Sequence, residues 1–141
     1  MRGIANALIG AALLAMLAGC GADSPREANF KQISKAKKAI DDELKKSAPA
    51  IDAIRANAKL IGTLAPQVPS WFPAGSGTGT EALPAIWEKP AEFSKAAADF
   101  AAASHALQAA ATAGEVARIT AAATDVGGTC KACHSKFREK K

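Results

Sequence analysis

The chain has 141 residues, enough for one domain and no more. Apolar residues make up 49% and charged residues 22%, a balance that excludes a disordered chain. The net charge of +5 comes with few aromatics (5%) and no Tyr, so the basic excess does not point to nucleic acid, and the abundance of Ala favours helix.

The first stretch, "MRGIANALIGAALLAMLAGC", is expected to lie outside the fold. Arg2 precedes an apolar run from Ala7 to Leu17, which is shorter than the ~20 apolar residues of a membrane-spanning helix and has the layout of an export signal. It ends in "LAGC", which resembles the lipobox of bacterial lipoproteins. That resemblance implies cleavage before Cys20 and acylation there, so the expected organisation is a signal peptide over 1–19 and one domain over 20–141. The anchored protein would sit in the periplasm, tied to a membrane without spanning it. Ordinary cleavage near Ala22, giving a soluble periplasmic protein, is the alternative. Met1 and Met16 are the only methionines, and both fall in the removed segment.

Four helical stretches follow. The first opens with Ser24, Pro25 and Glu27, a cap, a first-turn proline and a capping-box partner. Its apolar stripe is Phe30, Ile33, Ile40 and Leu44, interrupted by Lys37. The second, from about Ala50 to Leu64, follows the break at Pro49 and carries Ile51, Ile54, Leu60, Ile61 and Leu64. Next comes the long connection "PQVPSWFPAGSGTGTEALPAIWEKP", in which "ALPAIW" can make one helical turn and Trp71, Phe72 and Trp87 can pack the loop onto the helices. Its "GSGTG" lacks the preceding strand and Lys-Ser/Thr ending of a phosphate loop and reads as a connector. The third helix spans about Ala91 to Ala113, with Phe93, Ala97, Phe100, Ser104, Leu107 and Ala111 on one seam and Gly114 ending it.

The fourth helix carries Val116, Ile119, Ala123, Val126, Cys130, Cys133 and Phe137 on an unbroken 3–4 seam. No stretch alternates with period two, so an all-α fold is expected. Within this helix stands "CKACH", Cys130 to His134. Two vinyl groups at a porphyrin edge need two thiols on one side, and helix positions i and i+3 supply them, with the next residue able to turn an imidazole under the ring. A zinc site needs about four ligands, and only His105 remains as a further nitrogen donor. A thioredoxin-type dithiol belongs where a strand feeds a helix N-terminus, and no strand is expected here. Haem attachment is the better reading. Gly127 and Gly128, just before the cysteines, break helix propensity beside the chemistry, as close approach by a porphyrin would require.

Seven residues follow His134, too few to supply a downstream Met ligand of the commonest cytochrome c plan. The chain resembles instead the cytochrome c′ family, the class II cytochromes c, through "PREANFKQI", the Trp-containing crossover with "LPAIW", "PAEFSKAAADF" and "DVGGTCKACHSKFREKK". That resemblance implies an antiparallel four-helix bundle with a long connection between helices 2 and 3 and one haem c on the C-terminal helix. Cytochromes c′ are a standard example of such bundles, so the architecture is recognised rather than deduced.

The resemblance also implies roles. His134 is the proximal iron ligand. Phe30, four residues after Arg26, stands on the opposite face where low-spin relatives place Met, leaving five-coordinate iron that binds NO or CO and also carries electrons, without substrate turnover. Arg26 matches a residue that pairs with a haem propionate, and Trp71 is a candidate for the same edge. Arg138 matches a proximal-side arginine that contacts the gas ligand or steers the imidazole. Each has a plainer reading: Phe30 as a core aromatic, Arg26 as a surface charge at the capping box, Arg138 as a cation at a helix end. His105 reads as a surface residue. The lysine-rich terminus reads either as a solvated helix end favoured by the helix dipole or as a surface that steers acidic redox partners, and family members commonly dimerise through their first two helices. Two other readings stand beside this one: a low-spin electron shuttle with no gas-binding role, and a haem-free structural lipoprotein.

Overall fold

The computed structural model describes residues 24–140; the expected signal peptide and the anchor at Cys20 lie outside the described residues. Five α-helices occur in the order α1 Pro25–Leu44, α2 Ile51–Leu64, α3 Ala85–Glu88, α4 Pro90–Ala113 and α5 Val116–Phe137. The long helices α1, α2, α4 and α5 form the bundle. No strand occurs among the described residues, only an isolated antiparallel bridge between Ala82 and Arg138.

The capping box of α1 forms as its residues dictate. Glu27 N–H donates to Ser24 Oγ at 3.3 Å and Ser24 N–H donates to Glu27 Oε2 at 3.0 Å, with Pro25 in the first turn. The helix buries Ile33, Ala36 and Ile40, whereas Phe30 and Leu44 are only half-buried. Lys37, which interrupts the stripe, is half-buried too, and its Nζ lies 2.6 Å from both Asp41 carboxylate oxygens. Glu43 closes the turn into α2 by accepting from Ala50 N–H at 3.0 Å.

The core runs through all four long helices. Ile40, Ile54, Ile61, Leu107 and Ile119 have no exposed surface, and each such side chain contributes roughly 1.5–3 kcal/mol on burial. Ser104, on the seam of α4, is fully buried and satisfies its hydroxyl by donating to Phe100 O at 2.7 Å. Gly114 takes the left-handed conformation (φ 80°) that ends α4, where a side chain would be strained, and its N–H bonds Ala110 O at 3.0 Å. The seam of α5 is shorter than its spacing implies: Val116 is 41% exposed, and packing starts at Ile119. Val116 is the first residue of its helix, at an end the other helices leave uncovered.

The helices are not packed evenly. Contacts between α4 and α5, α1 and α2, and α2 and α4 are extensive, but α1 and α5 touch sparsely. Between them lies an open crevice of about 390 Å³, lined by Lys37, Asp41 and Leu44 on α1 and by Thr120, Ala123 and Thr124 on α5. The connection from α2 to α4 is more ordered than its composition implies. It begins with a 3-10 turn over Ala65–Trp71 that buries Ala65 and Val68, and it holds the expected turn as α3. Trp87 Nε1–H donates to Phe72 O and to Pro73 O, both at 3.2 Å, pinning the loop onto itself.

Candidate haem-attachment site

Cys130 and Cys133 lie one turn apart on α5, half-buried, unpaired as a disulfide and packed against the core. Burial pushes both thiols above their ordinary range, with Lys37 pulling the other way at Cys130 and the Cys130 charge adding to the rise at Cys133. Both side chains therefore stay protonated at neutral pH while nothing is bound to them. Among the described residues, no group of three or more His, Cys, Asp or Glu could hold a metal ion.

Whether a porphyrin fits is settled by the surface beside the cysteines. Thr120, Ala123, Gly127 and Cys130 follow one another at three- and four-residue spacing, so the crevice wall on α5 continues into the attachment site. A Cβ placed on Gly127 or on Gly128 would meet nothing within 4 Å. Lys37, whose charge reaches Cys130, lies on the facing wall. The sparse contact between α1 and α5, the bare glycine surface and two thiols on one face suit a flat ring held at its edge. The residues fit a covalently bound haem with Cys130 and Cys133 as its attachment points.

His134 is exposed at the surface of the last turn. Partial burial, then the Arg138 guanidinium, lower its basicity, and Glu81 opposes them. The imidazole is thus neutral at pH 7, as metal binding requires. Arg138 follows the helix in an extended conformation, with Nε donating to Glu81 Oε2 at 2.7 Å.

The other expected residues gather at the same end of the bundle. Phe30 stands edge-on to Trp71 (centroids 5.2 Å apart) and 6.2 Å from Phe72. Phe72 in turn meets Phe93 at 5.0 Å, and Phe93 meets Phe137 at 5.4 Å, so an aromatic ladder joins α1, the crossover, α4 and the end of α5. Arg26 is held within this group: its guanidinium lies 4.6 Å above the Phe72 ring and donates to Ser76 Oγ at 3.3 Å and Ser76 O at 3.1 Å. His105 is exposed on α4 and takes no part. Glu81, Phe72 and Ser76 were not among the residues expected to build the site. Phe72 was legible only as a packing aromatic, and no local signal marks Glu81 or Ser76, which meet their partners from far along the chain.

Comparison with known proteins agrees. The family model for cytochrome c′ matches residues 24–138. Cytochrome c′ of Rubrivivax gelatinosus is 46% identical over 86 residues, covering 60% of this chain and 67% of that protein. Its crystal structure superposes with a TM-score of 0.75 at 38% identity, covering 81% of this chain and 91% of the other. Cytochrome c-556 of Agrobacterium tumefaciens is 38% identical over 117 residues, covering 82% of this chain and 95% of that protein. A ferrous variant of cytochrome c′ from Alcaligenes xylosoxidans, solved with bound NO, superposes with a TM-score of 0.76 at 32% identity, covering 82% of this chain and 91% of the other.

Proposed function

This chain belongs to the cytochrome c′ family and is a c-type haem cytochrome; on that premise we propose that its iron is held by His134 alone and that the protein binds NO or CO and exchanges electrons. The haem, when bound, supplies both the gas-binding metal and the redox couple. The observation that carries the reading is the donor inventory of the facing helix. α1 contains no His, Cys or Met, and no methionine occurs among residues 24–140. The residue that the family resemblance assigns to the distal face, Phe30, has no lone pair, and Trp71 and Phe72 hold its ring in place.

The remaining residues divide the work. Cys130 and Cys133 fix the ring to α5, and the neutral His134 imidazole binds from one side. Arg26 lies within reach of the crossover and can offer its guanidinium to a propionate, with Trp71 at the same edge. Arg138 stands beside the proximal ligand. An apolar distal wall disfavours O₂, which needs hydrogen-bond donors, relative to NO and CO. The NO complex of the similar Alcaligenes protein supports this choice of ligand.

The role is binding and electron carriage rather than turnover of a substrate. The chain is exported, we propose, and tethered at Cys20 in the periplasm; no helix among the described residues is long and apolar enough to cross a membrane. Its partners are redox proteins, with the lysine-rich end of α5 facing acidic ones, and a second copy of the chain through α1 and α2. Titration of the purified ferrous protein with CO tests the reading. Stoichiometric binding that shifts the Soret band is expected, and a spectrum that CO leaves unchanged would give the low-spin shuttle the advantage.

A further inference from the structure

The end of α5 and the crossover are tied together by contacts between residues far apart in the chain. Leu83 N–H donates to Phe137 O at 3.0 Å, and Glu139 N–H donates to Glu81 O at 2.8 Å, on either side of the bridge between Ala82 and Arg138. Inside this clip, the Arg138 guanidinium meets one Glu81 oxygen twice, at 2.7 Å through Nε and 2.6 Å through Nη2. Arg138 is extended (φ −123°, ψ 139°), yet its N–H still donates to His134 O at 3.2 Å. The charged pair is thereby fixed at the turn that carries the iron ligand.

We propose that Glu81 is a positioning residue for the haem: it holds the Arg138 guanidinium, neutralised, beside His134, and so sets the net charge felt on the proximal side. The proposal goes beyond gas binding and rests only on His134 being an axial ligand. Stabilisation does not explain the pair. Both side chains are partly exposed, at 46% and 35%, where an ion pair gains little, and the two backbone hydrogen bonds already close the clip. Charge does explain it. The oxidised haem carries one more positive charge than the reduced one, so an unbalanced cation nearby favours the ferrous state and an unbalanced anion favours the ferric.

The test compares reduction potentials of the holoprotein and of Glu81→Gln, Arg138→Gln and the double variant, with thermal melts alongside. Glu81→Gln is expected to raise the potential, Arg138→Gln to lower it, and the double variant to return close to the starting value. Single variants that shift the potential in the same direction, or melt earlier with no shift, would overturn the proposal and leave a structural strut. If Glu81→Gln yields no holoprotein, Arg138→Gln decides by itself: a lower potential supports the proposal and an unchanged one overturns it. A protein that refuses CO would defeat the vacant-face reading above but leave these signs readable, since they need His134 and not an open distal site.

Discussion

Two faces of α5 do opposite things. Toward the core the helix is closed: Ile119, Ala122 and Val126 are buried on the seam, and Phe137 ends it edge-on to Phe93. Toward α1 it is open: Thr120, Ala123 and Thr124 line the crevice, and Gly127 carries the same row on to Cys130, while Cys133 lines a second crevice against Ala96 and Asp99 of α4. Small side chains serve both faces for different reasons. On the closed face alanines let α4 and α5 approach and exclude water. On the open face the glycine leaves room that no neighbouring side chain fills. One helix is thus a wall of the core and the seat of a prosthetic group, and the difference between its faces is a difference in what each leaves uncovered.

Removing the thiols should break the open face entirely. C130A/C133A is expected to lose all covalently bound haem, read by haem stain on a denaturing gel, and retention of stained protein would show that attachment lies elsewhere. A cut into the closed side should cost stability instead. Leu107→Ala removes a side chain with no exposure and is expected to destabilise by about 2–5 kcal/mol in chemical denaturation, with the haem still attached; a cost below about 1 kcal/mol would mean that the core relaxes around it.

These two outcomes differ in how far they could be foreseen from the residues. Capping at Ser24, the stop at Gly114 and the seam from Ile119 to Phe137 are local in sequence, and local spacing reports them faithfully. CKACH is equally compact, so attachment was legible. The 3-10 turn at Ala65–Trp71 was not, because its prolines read as loop and only packing of Ala65 and Val68 makes it ordered. The clip joining Glu81 to Arg138 was illegible for another reason: its two partners carry no mutual pattern and meet only because the crossover folds back over the end of α5. Val116 failed in the opposite direction, since periodicity continues past the point where any neighbour covers the helix.

Finer tests sharpen the contrast. Gly128→Ala is expected to stabilise the apoprotein by about 0.5–1 kcal/mol, because Ala favours helix over Gly and the new Cβ meets nothing within 4 Å. Destabilisation in a melt would mean that the open face is more crowded than its geometry implies. The smallest effect lies away from both faces, at the end of α1. Hydrogen bonds from Lys38 and Lys45 depress the Asp42 carboxyl, and those from Lys46 and Ala50 N–H depress that of Glu43. A depressed carboxyl contributes stability that is present above its unfolded value and lost as pH falls through the folded one, so the loss falls below about pH 4. Asp42→Asn with Glu43→Gln should slightly flatten the acid limb of a pH–melting curve, and high salt should mute the difference; an unchanged limb would mean that these exposed pairs contribute nothing.

The spin state of the isolated ferric holoprotein, read by electron paramagnetic resonance at neutral pH, bears most directly on the claim that α5 grips the haem from one side while α1 offers the iron nothing. A high-spin signal with a single histidine ligand is the predicted result. A low-spin signal from two strong protein ligands would contradict it.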